Sequence, residues 1–257
     1  MSDQVFEKIY GRPKSMSDRD THYCPGCGHG IAHKLVAECI DEFGIRDTTI
    51  MVPPVGCAVL AYHYFDIDML EAPHGRPLAV ATGMKRMLPD HFILTYQGDG
   101  DLASIGAAET LHAANRGEKV TTIYINNAIY GMTGGQMAPT SIAGQMTSTT
   151  PGGRNSQRDG SPMDISEMIA LVKGSVYIER CSLSSPKNIR RAKKAIRKAF
   201  QVQLDGLGYS LVELLSPCPV NWKMTPARSR QWIDDELVKI FPLKVIKDTT
   251  GYKEGKP

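Results

Sequence analysis

The sequence predicts an α/β fold, a mainly parallel sheet flanked by helices. Three observations predict it. His91 to Tyr96 is an apolar run rich in β-formers that leads into Gly98-Asp99-Gly100-Asp101. Leu102 to Asn115 then carries apolar and small residues at helical spacing, and Val120 to Ile125 reads as a second strand ending at Asn126-Asn127. A strand–loop–helix–strand unit of this kind is a parallel crossover. Further downstream, Pro186 to Gln203 is a helix set between two more strands, Gly174 to Arg180 and Tyr209 to Leu215.

The crossover places its two polar motifs side by side, at the carboxyl ends of neighbouring strands, where open α/β sheets bind ligands. Asp99 offers a carboxylate and Asn127 an amide oxygen to one hard cation. Magnesium suits such oxygens and commonly shares them with phosphates. Gly98 and Gly100 allow the backbone close to a diphosphate. A Gly-Asp-Gly alone is a turn and an Asn-Asn alone is a loop. The pair, each member following a strand, points to a magnesium–diphosphate site.

The chain has 257 residues, a net charge of +3 and six cysteines. That length suits one large α/β domain or two small ones. The slight charge demands no nucleic acid. No apolar run is long enough to span a membrane, and Met1 to Glu7 has no signal-peptide character, so a cytoplasmic protein is expected. In that compartment the cysteines are expected as ligands or buried thiols rather than a disulfide framework.

In chain order, residues 1–20 are polar and read as an arm lying on a partner. Cys24 and Cys27 form a Cys-x-x-Cys with three readings: a redox dithiol, half a zinc site or half an iron–sulfur site. Ile31 to Phe43 is an amphipathic helix with Cys39 on its apolar face. Asp47 to Val52 is a strand that ends at Pro53-Pro54-Val55-Gly56-Cys57. Pro73 to Pro77 is a turn before a helix from Leu78 to Leu88; on spacing alone its His74 and Arg76 read first as an ordinary surface turn, the alternative being that Arg76 reaches a phosphate or carboxylate and His74 lines a cofactor. The tract from Tyr130 to Pro162 is rich in Thr, Ser, Gly and Pro and reads as a lid, with backbone amides near Met132 and Thr133 facing diphosphate oxygens. The Pro186–Gln203 helix has an outward face of Lys187, Arg190, Arg191, Lys193, Lys194, Arg197 and Lys198, read as a solvated face or as a docking surface for an acidic protein. Residues 223–257 read as a tail that wraps a neighbour, leaving 21–222 as the ligand-binding domain. Cys24, Cys27, Cys57 and Cys218 all lie in loops, two of them after strands; four such thiolates converging at one sheet edge suit zinc or a [4Fe–4S] cluster.

Six motifs occur in order: Tyr23-Cys24-Pro25-Gly26-Cys27-Gly28-His29, Pro54-Val55-Gly56-Cys57, Pro73-His74-Gly75-Arg76, Gly98-Asp99-Gly100-Asp101, Asn126 through Gln136, and Ser216-Pro217-Cys218. Together they resemble the thiamine diphosphate-binding β subunit of 2-oxoacid:ferredoxin oxidoreductases, of the 2-oxoglutarate or branched-chain type, over about residues 20 to 222. The resemblance implies the thiamine diphosphate-binding fold, with Mg2+ held by Asp99, Asn127 and the backbone carbonyl of Ile129. It implies cofactor contacts from Cys57, His74, Gly75, Arg76, Gly98, Gly100, Asp101, Tyr130, Met132 and Thr133. It further implies one [4Fe–4S] cluster on Cys24, Cys27, Cys57 and Cys218, with Cys39 and Cys181 structural. The implied activity is coenzyme A-dependent oxidative decarboxylation of a 2-oxoacid (2-oxoglutarate first, branched-chain 2-oxoacids or pyruvate as alternatives) to acyl-CoA and CO2, with electrons passed to ferredoxin. No catalytic acid–base residue is identified in this chain. The glutamate that activates thiamine is expected from a partner α subunit, and further small subunits are compatible. Two rivals remain: a non-redox thiamine decarboxylase or carboligase, and a zinc-stabilised interaction module.

Overall fold

The computed structural model describes residues 10–252. In chain order its main elements are α1 (His29–Phe43), β1 (Thr49–Val52), β2 (Asp68–Met69), α2 (Pro77–Met87), β3 (Phe92–Gly98), α3 (Ala107–Arg116), β4 (Thr121–Asn126), α4 (Ser156–Asp159), α5 (Ile165–Ala170), β5 (Ser175–Ser182), α6 (Pro186–Leu204), β6 (Tyr209–Leu215), α7 (Pro219–Trp222), α8 (Pro226–Trp232), α9 (Val238–Ile240) and β7 (Lys244–Asp248). The strands form one sheet in the order β2-β1-β3-β4-β6-β5-β7. All pairings are parallel except that of β7 with β5. The mainly parallel sheet expected from the sequence is the one observed.

Both faces of the sheet are covered, which is why its strands read as near-continuous apolar runs. On one face Leu94, Tyr96, Ile123 and Val212 pack with Val36 and Ile40 of α1 and Ile196 and Phe200 of α6. On the other, Ile93, Tyr124 and Leu211 pack with Leu78 of α2, Ala113 of α3 and Ile169 of α5. Alternate residues of one strand thus serve different cores, as the two-residue period of a strand requires. Cys39 and Cys181 are buried in the first core. Ser185 caps α6 by accepting from the Asn188 amide, with Pro186 in the first turn, as its sequence indicates.

Two terminal readings need correction. Residues 1–9 of the expected arm lie outside the described residues, but its remainder packs on this chain. The Ser15 hydroxyl and amide donate to Asp41 of α1, and Ser17 N donates to Tyr64 O at 3.0 Å. Residues 223–248, read from the sequence as a tail, form folded elements that pack on this chain. Helices α8 and α9 and an intervening π turn carry Ile233, Leu237 and Phe241 into a third core with Trp222, and β7 completes the sheet edge. The signal was present: these three apolar residues stand four apart, on one face of a helix.

Four of the seven basic side chains on the outer face of α6 are paired within the chain, Arg197 with Glu42 at 3.7 Å among them. Lys193 pairs with Glu38 and Glu42, each at 2.7 Å, Arg191 with Glu179 at 2.8 Å, and Lys198 with Asp248. A docking surface for an acidic partner therefore gains no support.

Candidate functional site

The strand order places the site. After β1 the chain moves outward to β2, whereas β3 and β4 lie on the other side of β1. Loops leaving β1 and β3 diverge there and open a crevice at their carboxyl ends. A cavity of about 240 Å³ occupies this crevice. Loops after β1 (Pro54–Ala58), β3 (Gly98–Asp101) and β4 (Asn127–Thr133) line it, with His29 and His74. Of the residues expected to touch a cofactor, Cys57, His74, Gly98, Asp99, Gly100, Asp101, Asn127, Ile129, Tyr130, Met132 and Thr133 all reach this one cavity.

Gly75 and Arg76 do not. The Gly75 amide donates to Asp101 Oδ1, while the Arg76 guanidinium pairs with Glu109 and donates to the Ile105 carbonyl at 3.2 Å. They support the wall from behind. His74 stays in the lining, its Nδ1 at 2.9 Å from both Asp101 Oδ1 and Val55 O. Gln97 Nε2 donates to the other oxygen of Asp101 at 2.6 Å.

Asp99 is buried at the base of the cavity. It accepts from the Thr140 hydroxyl at 2.7 Å, from Gly100 N at 2.8 Å and from Ile129 N at 3.2 Å. Burial nevertheless pushes its carboxyl up to about 6, against those hydrogen bonds. Asn127 Oδ1 accepts from the same Ile129 amide at 3.3 Å, so the two expected ligand side chains converge on Ile129. The turn between them is strained: Ala128 has a φ of 56°, in the left-handed region that a non-glycine residue seldom adopts. Ser141 Oγ and Gln145 Nε2 donate to the Ala128 carbonyl at 2.6 and 2.8 Å and hold it there.

These donors come from the tract read as a lid. It packs beneath the site loops as a buttress. Arg154, almost fully buried, donates to the carbonyls of Pro139 at 2.8 Å, Ser161 at 2.9 Å and Gly160 at 3.0 Å, and ties the tract into one packed loop. Thr140, Ser141, Gln145 and Arg154 were missed by sequence reasoning because only the folded loop brings them beneath Asp99 and Ala128. His29 was also missed, although it ends a quoted motif. Its Nδ1 meets the Tyr96 hydroxyl at 2.8 Å, and Tyr23 stacks on its ring at 4.7 Å. Burial pushes His29 down to about 3, so the ring stays neutral.

The glycines divide their work. A Cβ at Gly98 would meet nothing within 4 Å, so this residue opens onto the cavity. A Cβ at Gly100 would stand 1.9 Å from Cε1 of Tyr130. Gly100 therefore makes room for the Tyr130 ring rather than for a ligand directly. Gly100→Ala must displace that ring. Overpacking of this sort costs roughly 1–3 kcal/mol, so cofactor affinity should fall about ten- to a hundredfold by calorimetry. An unchanged affinity would remove Tyr130 from the binding surface.

Of the four loop cysteines Cys57 lines the cavity, and Cys24, Cys27 and Cys218 lie in neighbouring loops. The Cys24–Cys27 loop packs against the loop after β6: Gly28 N donates to Pro217 O at 3.3 Å, and a Cβ at Gly28 would stand 2.2 Å from Ser216 Oγ. Cys57 lies beside the loop after β4, its Sγ 3.2 Å from where a Gly131 Cβ would stand. Burial pushes the Cys27 and Cys57 thiols up to about 12, with neighbouring cysteines adding to it; burial also raises Cys218. A reactive dithiol needs the opposite shift, so the redox-dithiol reading loses support. Thiols held this close and this basic suit a site where a metal removes their protons. Among the described residues, no three His, Cys, Asp or Glu side chains are arranged to hold a metal ion, so the geometry by itself favours neither zinc nor a cluster. Four thiolates are the donor chemistry that an iron–sulfur cluster takes. The oxygens of Asp99 and Asn127 fit magnesium, and the open Gly98 wall fits a diphosphate.

Comparison with known proteins agrees with this geometry. A family described as thiamine pyrophosphate enzyme, C-terminal TPP binding domain, matches residues 54–214. The chain is 47% identical over 247 residues to ketoisovalerate oxidoreductase subunit VorA of Methanothermobacter marburgensis, covering 96% of this chain and 52% of VorA. It thus spans about half the length of that relative. It is 37% identical over 207 residues to 2-oxoglutarate synthase subunit KorB of Archaeoglobus fulgidus, covering 80% of this chain and 73% of KorB. Among solved structures, the 2-oxoglutarate:ferredoxin oxidoreductase of Magnetococcus marinus, with 2-oxoglutarate, coenzyme A and succinyl-CoA bound, aligns with a TM-score of 0.72 at 30% identity, over 82% of this chain and 69% of that one.

Proposed function

The chain belongs to the thiamine pyrophosphate enzymes and, within them, to the 2-oxoacid:ferredoxin oxidoreductase subunits of the VorA and KorB type, and on that premise we propose that it binds thiamine diphosphate and one [4Fe–4S] cluster in a CoA-dependent 2-oxoacid:ferredoxin oxidoreductase. One observation carries the reading. The expected diphosphate loop, the magnesium ligands and Cys57 line one cavity, and the Cys24–Cys27 loop packs against the loop that carries Cys218 nearby.

In this reading Asp99, Asn127 and the Ile129 carbonyl hold Mg2+, which neutralises the cofactor's diphosphate. Cys24, Cys27, Cys57 and Cys218 hold the cluster. Thiamine diphosphate supplies the electron sink that lets a 2-oxoacid lose CO2. The chain's own residues do the rest by positioning. The Thr140 hydroxyl and the Gly100 amide aim the Asp99 carboxylate, and Ser141 and Gln145 hold the strained Ala128 turn. Tyr130, Ile129 and Val55 line the cavity wall. The activating glutamate comes, in this reading, from a partner α subunit. Ferredoxin, coenzyme A and that subunit complete the assembly. All six cysteines are free, which suits the cytoplasm. No helix among the described residues is long and apolar enough to cross a membrane.

The lining bears on the 2-oxoacid. Val55, Ala58, Ile125, Ile129 and Met132 are apolar, and the described lining contains no lysine or arginine. An apolar wall of this kind suits a branched-chain 2-oxoacid, and the higher identity to VorA than to KorB points the same way. A dicarboxylate such as 2-oxoglutarate would need a cation from elsewhere in the complex.

The test is iron and acid-labile sulfide in the complex purified without oxygen, with 2-oxoacid-dependent reduction of a viologen dye. About four irons and four sulfides per cluster are expected, lost in part on Cys218→Ser. The rate with 2-oxoisovalerate should exceed that with 2-oxoglutarate. Thiamine binding without iron in this chain would leave a non-redox decarboxylase or carboligase. Bound zinc without thiamine binding would leave an interaction module.

A further inference from the structure

Directly after Cys218 the chain makes a single helical turn, α7, and two of its side chains reach across to the cavity loop. Asn221 Nδ2 donates to the Gly131 carbonyl at 2.9 Å and to Cys218 Sγ at 3.4 Å. Trp222 Nε1 donates to the Asn127 carbonyl at 3.1 Å. Gly131 lies between Tyr130 and Met132 in the cavity wall, beside Cys57. The Asn221 amide therefore spends one hydrogen on a cysteine sulfur and the other on the backbone of the cofactor loop.

We propose that Asn221 is a positioning residue that joins the cysteine cluster to the cofactor loop, raising the cluster's reduction potential through its N–H···S contact and holding Gly131 through its N–H···O bond. The inference rests on the proposed function, since it needs the cluster on Cys218. Its physical basis is general. Reduction adds negative charge to a cluster and its sulfurs, and a hydrogen bond to a ligand sulfur favours the more negative state. The side chain of asparagine is the right instrument because its amide carries two hydrogens in one plane. With both engaged, a movement of the cofactor loop and a change at Cys218 are mechanically linked through one group. The backbone around it is committed as well: α7 ends at Lys223 in the left-handed conformation, at a φ of 54°.

The experiment is a redox titration of the purified complex, followed by the paramagnetic signal of the reduced cluster, for the wild type, Asn221→Ala and Asn221→Asp. Both variants should keep wild-type iron content. Asn221→Ala should move the midpoint to more negative potential by about a tenfold change in the reduced-to-oxidised ratio, equivalent to 59 mV for one electron. Asn221→Asp, of the same size but without the N–H donor and with a negative charge, should move it further. A merely structural role would leave the potential of the iron-loaded variants unchanged, and that result overturns the proposal alone. A wild-type complex with no cluster on this chain overturns the proposed function and this inference with it. Should Asn221→Ala lose its iron, the isosteric Asn221→Asp still supplies the comparison.

Discussion

Asp99→Asn should lower the affinity for thiamine diphosphate and Mg2+ by at least about a hundredfold, more than loss of an outer-shell partner costs. The carboxylate is buried, and its two oxygens already accept from Gly100, Thr140 and Ile129. An amide in its place keeps the size but removes the negative charge that a hard cation requires. The fold should survive. Burial pushes Asp99 up to about 6, so the free protein carries this carboxylate at a cost, and a neutral amide relieves part of it. Calorimetric titration with Mg2+ and thiamine diphosphate, beside a melting curve without them, checks both halves. Wild-type affinity in Asp99→Asn would remove this residue from the metal site. A collapse of the melting temperature would show that the carboxylate is needed for folding itself.

The second large effect lies behind the site. Arg180 is fully buried and donates to Glu213 Oε2 at 2.7 Å, to Asp164, and to the Pro242 carbonyl at 3.3 Å, with its guanidinium over the Phe241 ring. Glu213 in turn accepts from Asn126 Nδ2 at 2.7 Å and from Ser166 Oγ at 2.6 Å. Arg180→Met leaves two carboxylates without their cation, and breaking a buried pair in this way costs about 3–5 kcal/mol. Denaturant unfolding should show that loss. Arg180→Met combined with Glu213→Gln should recover part of it, because the stranded charge is gone. The single variant should also weaken cofactor binding, since Asn126 precedes the candidate ligand Asn127. Full stability in Arg180→Met would mean that Glu213 finds another partner.

Glu213 and Asn126 also mark where reading the sequence stops. Asn126 looked like half of a metal motif, yet its side chain serves the fold: it bonds to Glu213 and accepts from Ala128 N. Arg76 looked like a phosphate ligand and is instead paired with Glu109. In both cases residue type and spacing narrow the options, and the choice depends on a partner far away in the chain.

What the sequence by itself determined is the framework. Apolar period fixes strand and helix, so β3, β4, α6 and β6 stand within two residues of their expected bounds, while α3 begins five residues late, after a π turn over Asp101–Ile105. Because parallel strands joined by helices bring like ends together, Asp99, Asn127 and Cys57 had to meet at one edge. What only the tertiary structure decided depends on long-range contacts that no local pattern carries. These are the Thr140 hydroxyl beneath Asp99, the Arg154 knot that turns a supposed lid into a buttress, and Asn221 between Cys218 and Gly131. Thr140 and Arg154 are buried polar groups and Asn221 is half-buried; bonds of such groups must be satisfied somewhere, and only the packed fold settles by which partner.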